Sequence, residues 1–137
     1  MPPPWRDAHL HSRHTVLVVD DFTETREAIV SLLETKGFEV VGAASGMVAL
    51  DLFQAGFRPC VVLLDVRMPE MDGWTVWERM KAHDEVAKTA VVILSADRAD
   101  DARAKKVGIR QFLRKPIDGR ELIGAVDRHC ERQRPAA

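Results

Sequence analysis

The chain has 137 residues, 46% of them hydrophobic and 30% charged, which is the make-up of an ordinary soluble globular protein and not of a disordered or membrane-embedded one. That length suits one domain with its own core, and no second, output domain is expected within it. Twenty basic against 21 acidic residues, a net charge of -1, argue against a broad footprint for nucleic acid. No apolar run approaches the roughly 18 residues that span a bilayer, so no membrane insertion is expected and the expected location is cytoplasmic.

Residues 1–13, MPPPWRDAHLHSR, hold three consecutive prolines and no hydrophobic period, and predict a flexible N-terminal leader. Its His9 and His11, with His14, lack a pre-organised metal site. The domain proper is expected over 14–132, with a short tail at 133–137. A first strand is predicted at Thr15–Val19, then a helix from Thr23 as N-cap to Lys36, burying Ile29, Leu32 and Leu33 and closed by Gly37. A second strand, Glu39–Ala43, leads to a helix at Gly46–Gln54 with Val48, Leu52 and Phe53 as packing residues. The third strand is Cys60–Leu64, and its helix runs from Trp74 to His83, burying some of Trp74, Val76, Trp77 and Met80. A fourth strand at Val91–Leu94 precedes a weakly amphipathic helix, Asp100–Val107, whose apolar positions are Ala102, Ala104 and Val107. The fifth strand is Gln111–Arg114, and the last helix, Gly119 to about Arg132, turns Leu122, Ile123, Val126 and Cys130 inward. Cys60 and Cys130 form no CxxC pair and are read as plain packing thiols.

Short β-branched runs alternating with helical segments are the mark of an α/β fold with a parallel sheet covered on both faces. VLVV, VVLL and VVIL are continuously apolar, as strands buried on both sides should be. In a right-handed, doubly wound sheet the loops after the strands gather on one edge, where ligands bind. Those loops carry Asp20 and Asp21 after the first strand, Asp65 after the third, Ser95 after the fourth and Lys115-Pro116 after the fifth. Any one of these alone is weak, because an aspartate doublet is commonly a helix cap, and a serine closing a strand is commonly one too. Their joint placement on one edge is what carries the signal. Three convergent carboxylates repel one another, and an all-oxygen donor set suits Mg²⁺ or Mn²⁺ better than Zn²⁺. Metal, ammonium and hydroxyl together suit phosphoryl transfer, with Asp65 as the nucleophile of an aspartyl-phosphate. No Walker-type glycine-rich loop is present to hold a nucleotide.

The segments VLVVDD, VVLLDVRMPEMDGW, VVILSA and QFLRKPI resemble, in order and spacing, the receiver domain of response regulators, over about residues 14–132. The resemblance implies a five-stranded, flavodoxin-like doubly wound domain with five helices, acting in two-component signal transduction. By the same resemblance Asp65 is the phospho-acceptor, with Asp21, Asp65 and the backbone carbonyl of Arg67 binding Mg²⁺ directly and Asp20 through water. Lys115 contacts the phosphoryl group, Ser95 supplies the hydroxyl that follows it, and Phe112 stands at the aromatic switch position. Implied partners are a histidine kinase or histidine phosphotransfer protein, docking on the first helix around Glu24 to Lys36, and a downstream effector protein or a homodimer partner. No conventional turnover is implied, only the domain's own phosphorylation and dephosphorylation. Two rival readings are a receiver-fold binding module that works without phosphorylation and a phosphate sink or relay carrier. An aspartate-nucleophile phosphatase is disfavoured, because the place of its acid/base aspartate is taken by Arg67.

Four local features depart from the pattern or sharpen it. Phe112 replaces the more frequent tyrosine, so its ring has no phenolic donor. The segment from Ser95 to Gly108 is shorter than usual and carries the charged run DRADDARAKK. Arg67 and Asp97, each two residues beyond a site residue, are of opposite charge and are expected to meet across the mouth, shielding an acyl phosphate from water. Gly73 is expected to relieve the acceptor loop through a positive φ.

Overall fold

The computed structural model describes residues 14–131. The predicted leader over 1–13 and tail over 133–137 lie outside the described residues, as do His9 and His11. Five strands alternate with five helices: β1 (Thr15–Val19), α1 (Thr23–Thr35), β2 (Glu39–Ala43), α2 (Gly46–Gln54), β3 (Val61–Asp65), α3 (Gly73–Lys81), β4 (Ala90–Ser95), α4 (Ala99–Lys106), β5 (Phe112–Arg114) and α5 (Gly119–Asp127). All strand pairs are parallel, in the order β2-β1-β3-β4-β5, so β3 is central and β2 and β5 are edges.

The strands' alternation sorts the core into two layers. Leu17, Val19, Val62 and Leu64 face α2, α3 and α4, meeting Phe53, Trp74, Val76 and Met80. Val16, Val18, Val61 and Leu63 face α1 and α5, meeting Ile29, Leu33, Leu122 and Val126. Such fully buried aliphatic side chains contribute about 1.5–3 kcal/mol each relative to exposure. With both faces covered, each inner strand reads as an unbroken apolar run.

Several local expectations are corrected. Thr23 is not the N-cap of α1 but its first helical residue, and the cap position is held by Phe22 without a side-chain hydrogen bond. Val48 is 41% exposed, since α2 packs through Ala49 and Phe53 instead. In α4, Ala102 and Val107 are exposed and Ala104 is the buried apolar residue. The helical part of α5 stops at Asp127, although the apolar period continues to the buried Cys130.

The two cysteines are not independent thiols: Cys60 and Cys130 form a disulfide, 70 positions apart in sequence with Cα atoms 5.5 Å apart. Sequence spacing does not reveal the pair, because the residue before β3 and the residues after α5 meet only through the fold, on the sheet edge opposite the strands' C-terminal ends. Cys60 Sγ also lies 3.0 Å from the Thr15 carbonyl oxygen, a ready acceptor for the thiol when the bond is reduced.

Candidate functional site

Four of the five strands lead into a residue of the site, because a parallel sheet aligns its C-terminal ends. β1 runs into Asp20, β3 ends at Asp65, β4 ends at Ser95, and Lys115 follows β5. Asp20, Asp21 and Asp65 each offer a carboxylate oxygen within 4.8 Å of the others. Asp20 and Asp65 are buried, at 0% and 3% exposure, whereas Asp21 is exposed. Both oxygens of Asp20 are engaged: Oδ1 accepts from the Phe22 backbone N–H at 2.9 Å, and Oδ2 accepts from Lys115 Nζ at 2.9 Å. The same ammonium stands 3.3 Å from Asp65 Oδ2, and Asp65 Oδ1 accepts from the Arg67 backbone N–H at 3.0 Å.

Burial is the main force on the Asp65 carboxyl and pushes its pKa up to about 6; the Arg67 N–H opposes this, the Asp20 charge adds to it and Lys115 pulls it back. Lys115 is itself drawn down by burial, but its hydrogen bond to Asp20 and the charges of Asp65 and Asp20 outweigh that and leave it above the ordinary lysine value. One ammonium thus faces three carboxylates, a deficit of positive charge that suits a hard divalent cation and an all-oxygen donor set. The residues present fit Mg²⁺.

The loop after Asp65 is shaped differently from the sequence expectation. The positive φ falls at Glu70, at 65°, and not at Gly73. Gly73 is required for close approach instead: a Cβ there would lie 2.5 Å from the Asp65 carbonyl oxygen and 2.7 Å from Val66 Cα. The glycine lets the first turn of α3, capped by the Asp72 carboxylate on Thr75 N–H at 2.9 Å, abut the end of β3.

Around Ser95 the structure reveals a partner that sequence reasoning missed. Asp100, the second residue of α4, is 5% exposed and accepts the Ser95 hydroxyl in a short hydrogen bond. It also accepts from Arg67 through both oxygens, from Nε at 3.2 Å and Nη2 at 3.1 Å. The expected Arg67–Asp97 meeting is present as well, with Nη2 3.1 Å from Asp97 Oδ2. An aspartate opening a helix complements the helix dipole, and that ordinary role masks any second one in the sequence. The signal that could have found it is its position five residues after Ser95, in an acidic run facing Arg67. Phe112 is half-buried, with the Lys105 ammonium 5.9 Å from its ring centroid.

A profile of the response regulator receiver domain matches residues 16–127. The chain belongs to the response regulator receiver family. Protein PilG of Pseudomonas aeruginosa is 33% identical over 116 residues, covering 83% of this chain and 85% of that protein. Sporulation initiation phosphotransferase F of Bacillus subtilis is 31% identical over 114 residues, covering 83% and 91%. Among solved structures, the chemotaxis response regulator CheY4 of Vibrio cholerae superposes with a TM-score of 0.77 at 28% identity, covering 86% of this chain and 98% of that one. Several other curated relatives are longer, and the chain spans 25% to 51% of their lengths. The chain is a phosphoryl-accepting receiver of two-component signalling, a class that works with histidine kinases or phosphotransfer proteins and effectors and that binds Mg²⁺ at an acidic pocket. Among the described residues no helix is long and apolar enough to cross a membrane.

Proposed function

We propose that Asp65 is the residue that takes the phosphoryl group, in a Mg²⁺- or Mn²⁺-dependent transfer from a histidine kinase or histidine phosphotransfer protein in the cytoplasm. The observation that carries this reading is the position of the Asp65 carboxylate, buried at the end of the central strand between Lys115 and the Asp20-Asp21 pair. The Asp65 oxygen forms the new O–P bond as the N–P bond of the phosphohistidine breaks, its electron pair leaving on the imidazole nitrogen. Lys115, already shared between Asp20 and Asp65, is placed to neutralise a phosphoryl oxygen and to keep it tied to the acidic pair. Exposed Asp21, with Asp65 and the Arg67 carbonyl, would hold the metal directly; Asp20, fully buried and hydrogen-bonded at both oxygens, suits a water-mediated place. The bound cation supplies positive charge against the equatorial phosphoryl oxygens.

Ser95 and Phe112 are the switch residues of this reading, and the surface they address is that of α4, β5 and α5. That surface has a net positive balance, with exposed Arg103, Lys105, Lys106, Arg110, Arg120 and Arg128 set against exposed Glu121 and Asp127. It is the natural meeting place for an effector protein or a second copy of the chain. Incubation with Mg²⁺ and phosphoramidate, followed by intact mass measurement, tests the proposal. One labile phosphoryl adduct that is lost in Asp65→Asn is the expected result. No adduct favours a binding module that works without phosphorylation, and steady release of inorganic phosphate with no adduct favours a phosphatase.

A further inference from the structure

Ser95 has one hydroxyl proton and two acceptors in reach, the Asp100 carboxylate at short range and the Asp97 carbonyl oxygen at 3.1 Å; the closer, charged Asp100 is the stronger, while the Asp97 backbone N–H donates to the same oxygen at 2.9 Å. A phosphoryl group on Asp65 can receive that proton only if Asp100 gives it up. Asp100 does not become an orphan when this happens, because Arg67 continues to donate to both of its oxygens. Asp100 also holds the Arg67 guanidinium, whose side chain is 62% exposed and whose other anionic partner, Asp97, is itself 57% exposed.

We propose that Asp100 is a positioning residue that sets the resting state of the receiver, by competing with the phosphoryl group for the Ser95 hydroxyl and by holding the Arg67 guanidinium on α4. The inference rests on the assignment of Asp65 as acceptor and goes beyond it, since the competition is between two acceptors for one proton and not a property of the acidic pocket. Hydrogen bonds to a charged acceptor are roughly twice as strong as neutral ones, so the resting contact is a real opposing force and not a passive one. It also links the site to α4 directly: Asp100 belongs to the helix, so release of Ser95 removes one of the contacts that fix the helix's first turn. Arg67, two residues from Asp65 on the opposite loop, keeps the first turn tethered while the hydroxyl moves. The helix is thereby loosened on one side only.

The test uses the full chain with Mg²⁺ and beryllofluoride, a stable stand-in for the phosphoryl group, titrated by tryptophan fluorescence. Asp100→Asn keeps the shape but weakens the hold on the hydroxyl, and is expected to tighten beryllofluoride binding about three- to tenfold. In a Ser95→Ala background, with no hydroxyl to withhold, the same substitution should give no gain. Equal gains in both backgrounds, or no gain in either, would overturn the proposal. A wild-type measurement guards against a variant that does not fold: the Asp97 amide resonance, which reports the Ser95 oxygen, should shift when beryllofluoride binds, and an unmoved resonance in the bound protein defeats the idea. If wild-type protein binds no beryllofluoride and forms no phosphoramidate adduct, it is the acceptor assignment that fails instead.

Discussion

α4 and α5 flank the short edge strand β5 on opposite faces of the sheet, yet they are held in unlike ways. α5 buries Leu122, Ala125 and Val126, and the chain just beyond it is fastened to the start of β3 through Cys130. Among the apolar residues of α4 only Ala104 is buried; the helix is otherwise held by Asp100 on Arg67 and Ser95, by Asp101 on Arg114 at 2.5 Å, and by Arg103 over the Trp74 ring at 4.7 Å. Apolar packing is indifferent to the charge of a distant carboxylate. Ionic and hydrogen-bonded anchors are not, so the helix tied to the site by charge is the one built to respond when the site's charge changes.

The sharpest way to break this contrast is in the core of α5. Leu122→Ala should cost about 2–5 kcal/mol in urea unfolding, and a cost below 1 kcal/mol would mean that α5 is not anchored by its apolar face. Opening the fastening by Cys60→Ser should cost about 2–4 kcal/mol, with dithiothreitol lowering the wild-type Tm and leaving that of the variant unchanged.

The charge at the site gives the next effect. Because the folded pKa of Asp65 is raised to about 6, the contribution of this group to the stability of the metal-free protein is fully present below the unfolded value near 4 and is lost as the pH rises through 6. Asp65→Asn should therefore stabilise metal-free protein at pH 8 by up to about 3 kcal/mol and have little effect below pH 4, as read by thermal unfolding across that range. The smallest effect is expected on the α4 side: Arg114→Ala, which removes a partly exposed ion pair, should cost only about 0.2–1 kcal/mol, and less still in high salt. A larger loss would show that α4 is packed more like α5 than its burial indicates.

What the sequence made legible follows the same division. Strands covered on both faces must be apolar throughout, so VLVV, VVLL and VVIL fixed three strands to within a residue or so, and parallel alignment then carried Asp20, Asp65, Ser95 and Lys115 to one edge. Helix ends were less legible. Cys130 is buried at helical spacing although α5 has already ended, because a turn can bury an apolar residue as well as a helix can. The buried role of Asp100 was legible only as a place five residues after Ser95 in an acidic run, and the Cys60–Cys130 link was not legible at all. Arg67 and Cys130 are brought from distant stretches of the chain, and local pattern contains no record of that meeting.

The closeness of Gly73 to Asp65 has a consequence for the placing of that side chain. Without a side chain at that position the first turn of α3 lies directly against the backbone of Asp65 and Val66, and the Gly73 N–H donates to the Val66 carbonyl at 3.2 Å. A methyl group there would be a wedge between a helix and the strand end that presents the Asp65 carboxylate. Even an alanine would shift that carboxylate against Lys115 and the Asp20-Asp21 pair, while leaving every acidic and basic side chain of the pocket chemically unaltered.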